Sequence, residues 1–320
     1  MGSHSTSVSS STSPEQVRTL ADIERMGLAK LSPGPRFYYS MGADEEQTLT
    51  ENVNAFKRLH LLPRLLRGVV DRSMETVLLE QRVSMPIGIA PTAFHKMAHP
   101  DGEAATAKAS EAAATVMIVS ISSTTSMEDV REAAPNAILW FQLCILRERA
   151  ITQRLVARAE RAGYSAIVYT ADIPVGGSNT ATFGNFLNDY SKELRFANFR
   201  EEDVANTGGR FVSPEIMNPE TTWADVAWLK SITKLPLVVK GILTVEAAIQ
   251  AVEHGASAIM VSNHGGRQLD CVPATGKQGA FKVLEILRTE TDRAMALMGC
   301  RSVSELHPSM VVRLERLANI

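Results

Sequence analysis

The stretch AIMVSNHGGRQLD, residues 258–270, runs a β-branched, apolar segment straight into a histidine, two glycines and an arginine. Such a run predicts a buried strand that ends at a loop carrying chemistry. His264 titrates near neutral pH and suits an acid or base. Gly265 and Gly266 allow a sharp turn and the close approach of a flat ligand. Arg267 offers a planar fork of donors that matches a carboxylate.

Five further β-type runs lie upstream, starting at Pro86, Thr115, Ala137, Ala166 and Leu235. Between the runs lie helix-patterned segments such as GEAATAKASEAAA, SMEDVREAA and RERAITQRLVARAERAG, the second opening on the capping pair Ser126 and Asp129. TWADVAWLKSIT and TVEAAIQAVEHG follow the same pattern. Strand, helix, strand is therefore the repeating unit. It predicts a parallel sheet with right-handed crossovers, its continuous apolar strands covered on both faces. Most runs end in a small polar or reactive residue: Pro91 and Thr92, Ser120, Gln142, Asp172, Lys240 and His264. A TIM barrel builds its active site from such strand ends, and an open doubly wound sheet also binds ligands there. The barrel is the preferred reading.

Ahead of the alternating region, helical spacing over Pro14–Leu31, closed by SPGP, and again from Asp44 to about Leu59 predicts an N-terminal helical cap. Residues 1–14 are Ser/Thr-rich and read as a disordered tail. The long connection 174–219, rich in Gly, Asn and Ser, reads as a mobile lid.

With 33 basic and 35 acidic side chains the formal charge is −2, which gives nucleic acid no footing. No run of 18 apolar residues exists, and neither a secretory signal nor a C-terminal SKL-type peroxisomal address is present. A cytoplasmic protein with no membrane partner is expected. Cys144, Cys271 and Cys300 show no CxxC spacing, so they read as buried small apolar residues and no metal site is expected. His95 and His99 lack a further ligand at useful spacing and read as loop residues, while Trp223 and Trp228 read as core contacts.

SNHGGRQLD, taken with YYSMGADEEQTLTEN, PIGIAPTAFHKMAHPDGE, WFQLCI, LPLVVKGI and MALMGCRSV, closely resembles the FMN-dependent α-hydroxy-acid oxidase and dehydrogenase family, the relatives of glycolate oxidase. The resemblance is collinear from about Tyr38 to Arg313. It implies a barrel domain over 15–313, a short tail over 314–320, FMN as cofactor, and a homo-oligomer of the tetrameric kind.

The implied reaction is oxidation of a small (S)-2-hydroxy acid to a 2-oxo acid. His264 resembles the proton acceptor and Asp172 the carboxylate that orients it and stabilises its cation. Arg267 resembles the arginine that holds the substrate carboxylate, and Tyr38 the tyrosine that touches the same substrate. Lys240 resembles the lysine set against the pyrimidine end of the flavin. Pro91, Thr92, Ala93, Ser120, Gln142, Thr170 and Ser262 match positions that cradle FMN.

Three positions depart from the family pattern. Cys144, a substrate-site position, replaces the tyrosine usual after QL, and Asn179 aligns with an arginine expected after TADIP. After Thr275 the chain passes at once to segments resembling the family's C-terminal helices. Strands seven and eight, on the order of 50 residues, are thus missing from the expected barrel. These departures leave open a second reading, a truncated and catalytically impaired member that no longer binds FMN tightly.

Overall fold

The computed structural model describes residues 17–176, 196–204, 217–274 and 282–313. Its N-terminal part is helical, with α1 (Leu20–Lys30), α2 (Pro33–Ser40) and α3 (Gln47–Asn54). Thr19 and Asp22 form a capping box that starts α1. SPGP ends that helix but also opens the next one, because Pro33 at the first helical position gives up an N–H that has no partner there. The expected helix from Asp44 to about Leu59 is shorter than its periodicity suggested. Asp44 and Glu46 adopt left-handed φ values of 49° and 60°, so the helix begins at Gln47 and tightens into a 3-10 turn over Ala55–Arg58.

A short strand β1 (Leu59–Leu61) and the hairpin β2 (Thr76–Leu78) and β3 (Gln81–Val83) lead into the alternating region. There α4 (Gly102–Ala112), β4 (Val116–Ser120), α5 (Met127–Ala133), β5 (Ile138–Leu143), α6 (Arg149–Arg161) and β6 (Ala166–Thr170) follow one another. The series resumes with α7 (Trp223–Ser231), β7 (Leu237–Ile242), α8 (Val245–Glu253) and β8 (Ala258–Val261). β4 to β8 form one parallel sheet in sequence order. The helix α9 (Lys282–Leu297) follows, and β9 (Val311–Arg313) pairs antiparallel with β1, tying the C-terminal segment to the N-terminal one.

Five of the six expected runs are thus strands. The first, at Pro86, makes a single parallel bridge from Ile89 to Met117. Pro86 and Pro91 have no N–H to give to a ladder, which keeps the pairing to that one point.

Strand side chains alternate between two faces, and each face buries its own cluster. Leu139, Phe141, Leu143, Ile167, Leu237 and Val239 pack outward against the helices. Val116, Ile118, Trp140, Ala166, Val168 and Val238 form the inner cluster. Each large outward side chain contributes about 1.5–3 kcal/mol by leaving water. β8 lies at one edge of the sheet, and among the described residues no strand pairs with its outer side; Val261 there is 61% exposed. The chain is therefore an α/β protein built on a parallel sheet.

Trp223 and Trp228 pack against the outer cluster as expected. Cys300 is buried and Cys144 half-buried, but Cys271 is exposed, contrary to its reading as a core residue; it turns the chain with a left-handed φ of 59°. Among the described residues no helix is long and apolar enough to cross a membrane. The tails 1–14 and 314–320, most of the expected lid, Asn179 and the junction at Thr275 lie outside the described residues.

Candidate active site

The period of two that sorts the core also builds the site. Ser120 follows Val116 and Ile118 on the inner face, Gln142 follows Trp140, Thr170 follows Ala166 and Val168, and Lys240 follows Val238. Register sets Ser120 beside Gln142 and Thr170 beside Lys240. The inner face is thus apolar along the strands and polar at their C-terminal ends. Gln142 Nε2 donates to Thr170 Oγ1 at 3.0 Å, and its Oε1 accepts from the Ile121 amide at 3.3 Å.

These ends open into a cavity of about 1080 Å³. Tyr38, Pro91, Thr92, Ala93, Ser120, Gln142, Cys144, Thr170, Lys240, Ser262, His264 and Arg267 all line it, so twelve of the thirteen residues singled out in the sequence share one chamber. Asp172, the thirteenth, stands behind His264.

At the centre of the chamber, His264 Nδ1 lies 2.8 Å from Asp172 Oδ1. An ionised carboxylate only accepts, so Nδ1 carries the proton and Nε2 keeps its lone pair. Burial holds the imidazole below its ordinary pKa, the Lys240 charge lowers it further, and Asp172 opposes both. Burial also pushes the Asp172 carboxyl upward, but the bond from His264 and the charges of His264 and Lys240 together bring it below its usual range. Lys240 is only 6% exposed, with Nζ 3.7 Å from Asp172 Oδ2 and 3.4 Å from His264 Nδ1. Burial lowers the ammonium pKa, and Asp172 partly restores it. A cation held this deep is costly unless it is paired or used.

Backbone geometry is spent on this arrangement. His264 has a φ of +58°, a conformation unfavourable by about 1–2 kcal/mol for a residue with a Cβ. Gly241, at the register shift between β7 and β8, has a φ of +105°, and a Cβ there would lie 2.6 Å from the Asp172 Cβ. Asp172 reaches His264 across a space that only glycine leaves open.

Arg267 points its Nη1 to the carbonyls of Tyr38 at 2.6 Å and Met41 at 3.3 Å, and its guanidinium lies 4.6 Å from the centre of the Tyr38 ring. Burial raises the Tyr38 hydroxyl pKa, with the Arg267 charge opposing. The Cys144 thiol, at the departure from the family pattern, is pushed up to about 12, first by burial, so it stays a neutral thiol.

Several supporting residues escaped the sequence reading. Glu103 is fully buried and accepts from the His95 amide at 3.0 Å, the Thr124 amide at 2.9 Å and the hydroxyls of Thr124 and Thr125. It ties the loop after Ala93 to the loop after β4. Tyr39 donates its hydroxyl to the Phe94 carbonyl at 2.8 Å, fixing the same loop. Asn52 and Asn263 exchange side-chain bonds at 3.2 and 2.7 Å. A Glu in the first turn of a helix already has a reason to exist in the helix dipole, and asparagine pairs 211 residues apart leave no local signal.

The chamber fits the ring end of FMN. Gln142, Thr170 and Lys240 present an amide, a hydroxyl and a cation on one wall, and Trp140, whose buried indole N–H has no hydrogen-bond partner among the described residues, lines the same space. The Lys, Arg, Asp and Glu residues of the whole described lining are Lys240 and Arg267, both grouped about His264.

Comparison with known proteins agrees with this geometry. The family described as FMN-dependent dehydrogenase matches residues 29–275 and, as a second segment, 272–313. The chain is 36% identical to 2-hydroxyacid oxidase 1 of Mus musculus, covering 91% of this chain and 95% of that protein. It is 37% identical to glycolate oxidase of Spinacia oleracea, covering 92% and 96%. The crystal structure of a mandelate oxidase superposes with a TM-score of 0.79 at 31% identity, covering 90% of this chain and 96% of that one. A sheet whose strand ends gather His264, Asp172, Lys240 and Arg267, together with matches along nearly its whole length, makes this chain a member of the FMN-dependent dehydrogenase family, the glycolate oxidase-like flavoprotein oxidoreductases that oxidise 2-hydroxy acids.

Proposed function

We propose that this chain oxidises a small (S)-2-hydroxy acid to the 2-oxo acid, with His264 as the proton acceptor. The observation that carries the reading is the buried set of His264, Asp172 and Lys240, with Arg267 on the same loop as His264. Bound FMN supplies the two-electron acceptor that the reaction needs. Pro91, Thr92, Ala93, Ser120, Gln142, Thr170 and Ser262 would hold it, and Lys240 would set a fixed positive charge beside it.

The oxidation takes two electrons and two protons from the carbinol carbon and its hydroxyl. Nε2 of His264, neutral at physiological pH, accepts one of those protons. Asp172 fixes the ring by its 2.8 Å bond and offsets the charge of the imidazolium that forms. The guanidinium of Arg267, steadied by the Tyr38 and Met41 carbonyls through Nη1 and bonded to the Tyr38 side chain, would be the cation that holds the substrate carboxylate. Tyr38, packed against that guanidinium, closes the same side of the substrate. Holding the acid at its carboxylate aims the α-carbon at the base.

The experiment is reconstitution with FMN followed by turnover of glycolate, lactate, mandelate and longer-chain 2-hydroxy acids, with the 2-oxo acid product quantified. The reading expects product from the wild type and loss of turnover in His264→Ala.

The second reading, an impaired member with an incomplete barrel, is favoured by three observations. Residues 272–275 belong to both segments of the family match, β8 is a half-exposed edge strand, and the charged residues of the described chamber wall all sit at one end. A phosphate needs backbone amides or cations to hold it. A colourless protein that takes up no FMN on reconstitution would favour this reading over the first.

A further inference from the structure

We propose that Asp270 is a positioning residue for the substrate-carboxylate site, acting by clamping the N-terminus of α3 and so fixing the loop that carries His264 and Arg267. The inference rests on the functional reading above.

The first turn of a helix has amides without intrahelical partners, usually met by a side chain at the cap position. In α3 the local cap residue, Glu46, has a left-handed backbone and makes no capping bond. Asp270, more than 220 residues later, takes that role. Its Oδ2 accepts from the Gln47 amide at 3.1 Å and its Oδ1 from the Thr48 amide at 2.6 Å. Asp270 is 8% exposed, and hydrogen bonds from the backbone, first from Thr48 and then from Cys271 and Gln47, hold its pKa at about 2, so it stays ionised.

Two more ties lie on the same helix face, and a third lies just ahead of the helix. Thr48 Oγ1 accepts from the Val272 amide at 3.1 Å, and Asn52, one turn further, exchanges bonds with Asn263. The Ala43 amide donates to the Gly266 carbonyl at 2.7 Å. Gly266 lies so close that a Cβ would stand 2.7 Å from the Leu49 nitrogen. Residues 263, 266, 270 and 272 therefore all grip one helix, and His264 and Arg267 are carried between the grips. Arg267 in turn is fixed by carbonyls at Tyr38 and Met41, just ahead of that helix. Loosening the Asp270 clamp shifts the guanidinium relative to the strand ends, which belong to the rigid sheet.

A positional error at the carboxylate clamp raises KM before it affects the flavin wall. The test compares wild type, Asp270→Ala and Asp270→Asn as FMN-reconstituted protein, reading KM and kcat for the best 2-hydroxy acid, flavin affinity and thermal midpoint. Asp270→Ala is expected to raise KM about tenfold while kcat stays within about threefold and flavin affinity is unchanged. Asp270→Asn, which keeps one acceptor for the Thr48 amide, restores most of that loss. Should Asp270→Ala fail to fold, Asn52→Ala releases the neighbouring tie between the same helix and the loop at Asn263, and is expected to show the same split. A fall in kcat and flavin affinity that tracks the thermal midpoint, with KM unmoved, overturns the proposal and leaves the proposed function standing. Absence of turnover in the wild type overturns both.

Discussion

His264, held with a left-handed φ of +58°, places its Nδ1 2.8 Å from Asp172 Oδ1, joining the loop after β8 to the end of β6. The bond fixes which ring nitrogen is protonated and leaves Nε2 as the base. Replacing Asp172 by Asn removes the charge that offsets the imidazolium. The expected outcome is a fall in kcat on the order of 10²- to 10⁴-fold with a smaller change in KM, read by steady-state kinetics.

The pH dependence follows from the direction of the His264 shift. Its conjugate acid is destabilised by burial and by Lys240, so the neutral, proton-accepting form persists below the ordinary histidine range. The acid limb of kcat/KM is expected to inflect below about 6.5, the unperturbed value, with a plateau through neutral pH. Lys240→Met removes one of the three lowering influences, burial and the Arg267 charge being the others, and is expected to move that inflection upward. An unmoved limb would separate Lys240 from the titration of His264.

Gly241 has no chemistry of its own but sets the distance on which the pair depends. A methyl at this position meets the Asp172 side chain at 2.6 Å and also faces a φ of +105°. Gly241→Ala is expected to cost about 1–2 kcal/mol in stability from the backbone alone. Because it displaces Asp172, it should also lower kcat toward the level of Asp172→Asn. Urea denaturation and steady-state kinetics on the same preparation separate the two effects.

Glu103 supports the loops at the other wall. Its removal strands the His95 and Thr124 amides and two hydroxyls inside the protein. Glu103→Ala is expected to destabilise by roughly 3–5 kcal/mol, since each buried group left without a partner costs about 1–3 kcal/mol and relaxation recovers part of it. Denaturant midpoints compared at constant m-value check this.

The sequence made the alternating core legible because two periodicities coincide in it. Strands such as AIVYT and LVVKGI are continuous apolar runs between helical segments, and their last inner-facing residues are the polar ones that form the chamber. His264, Lys240 and Arg267 were legible for a different reason: each is a charged or titratable residue within or soon after an apolar run. Other features left weak local signals. Pro33 reads as a breaker, yet it starts α2, because proline suits a first turn as well as a boundary. The run at Pro86 has strand composition but not the N–H groups for a ladder. Asp270, Asn52 and Asn263 act across more than 200 residues of chain, so only the fold brings them together. Gly241 was invisible inside an apolar strand, since its role appears only when Asp172 is packed beside it.

The role of His264 as the base in 2-hydroxy-acid oxidation is tested by anaerobic mixing of the FMN-reconstituted protein with an (S)-2-hydroxy acid, followed by the visible flavin absorbance. The wild type is expected to bleach, with one equivalent of 2-oxo acid formed per flavin, and His264→Ala is expected to bind flavin equally but to bleach at least about a hundredfold more slowly. A wild type that holds flavin and is not reduced by any 2-hydroxy acid, or a His264→Ala variant reduced at the wild-type rate, would contradict it.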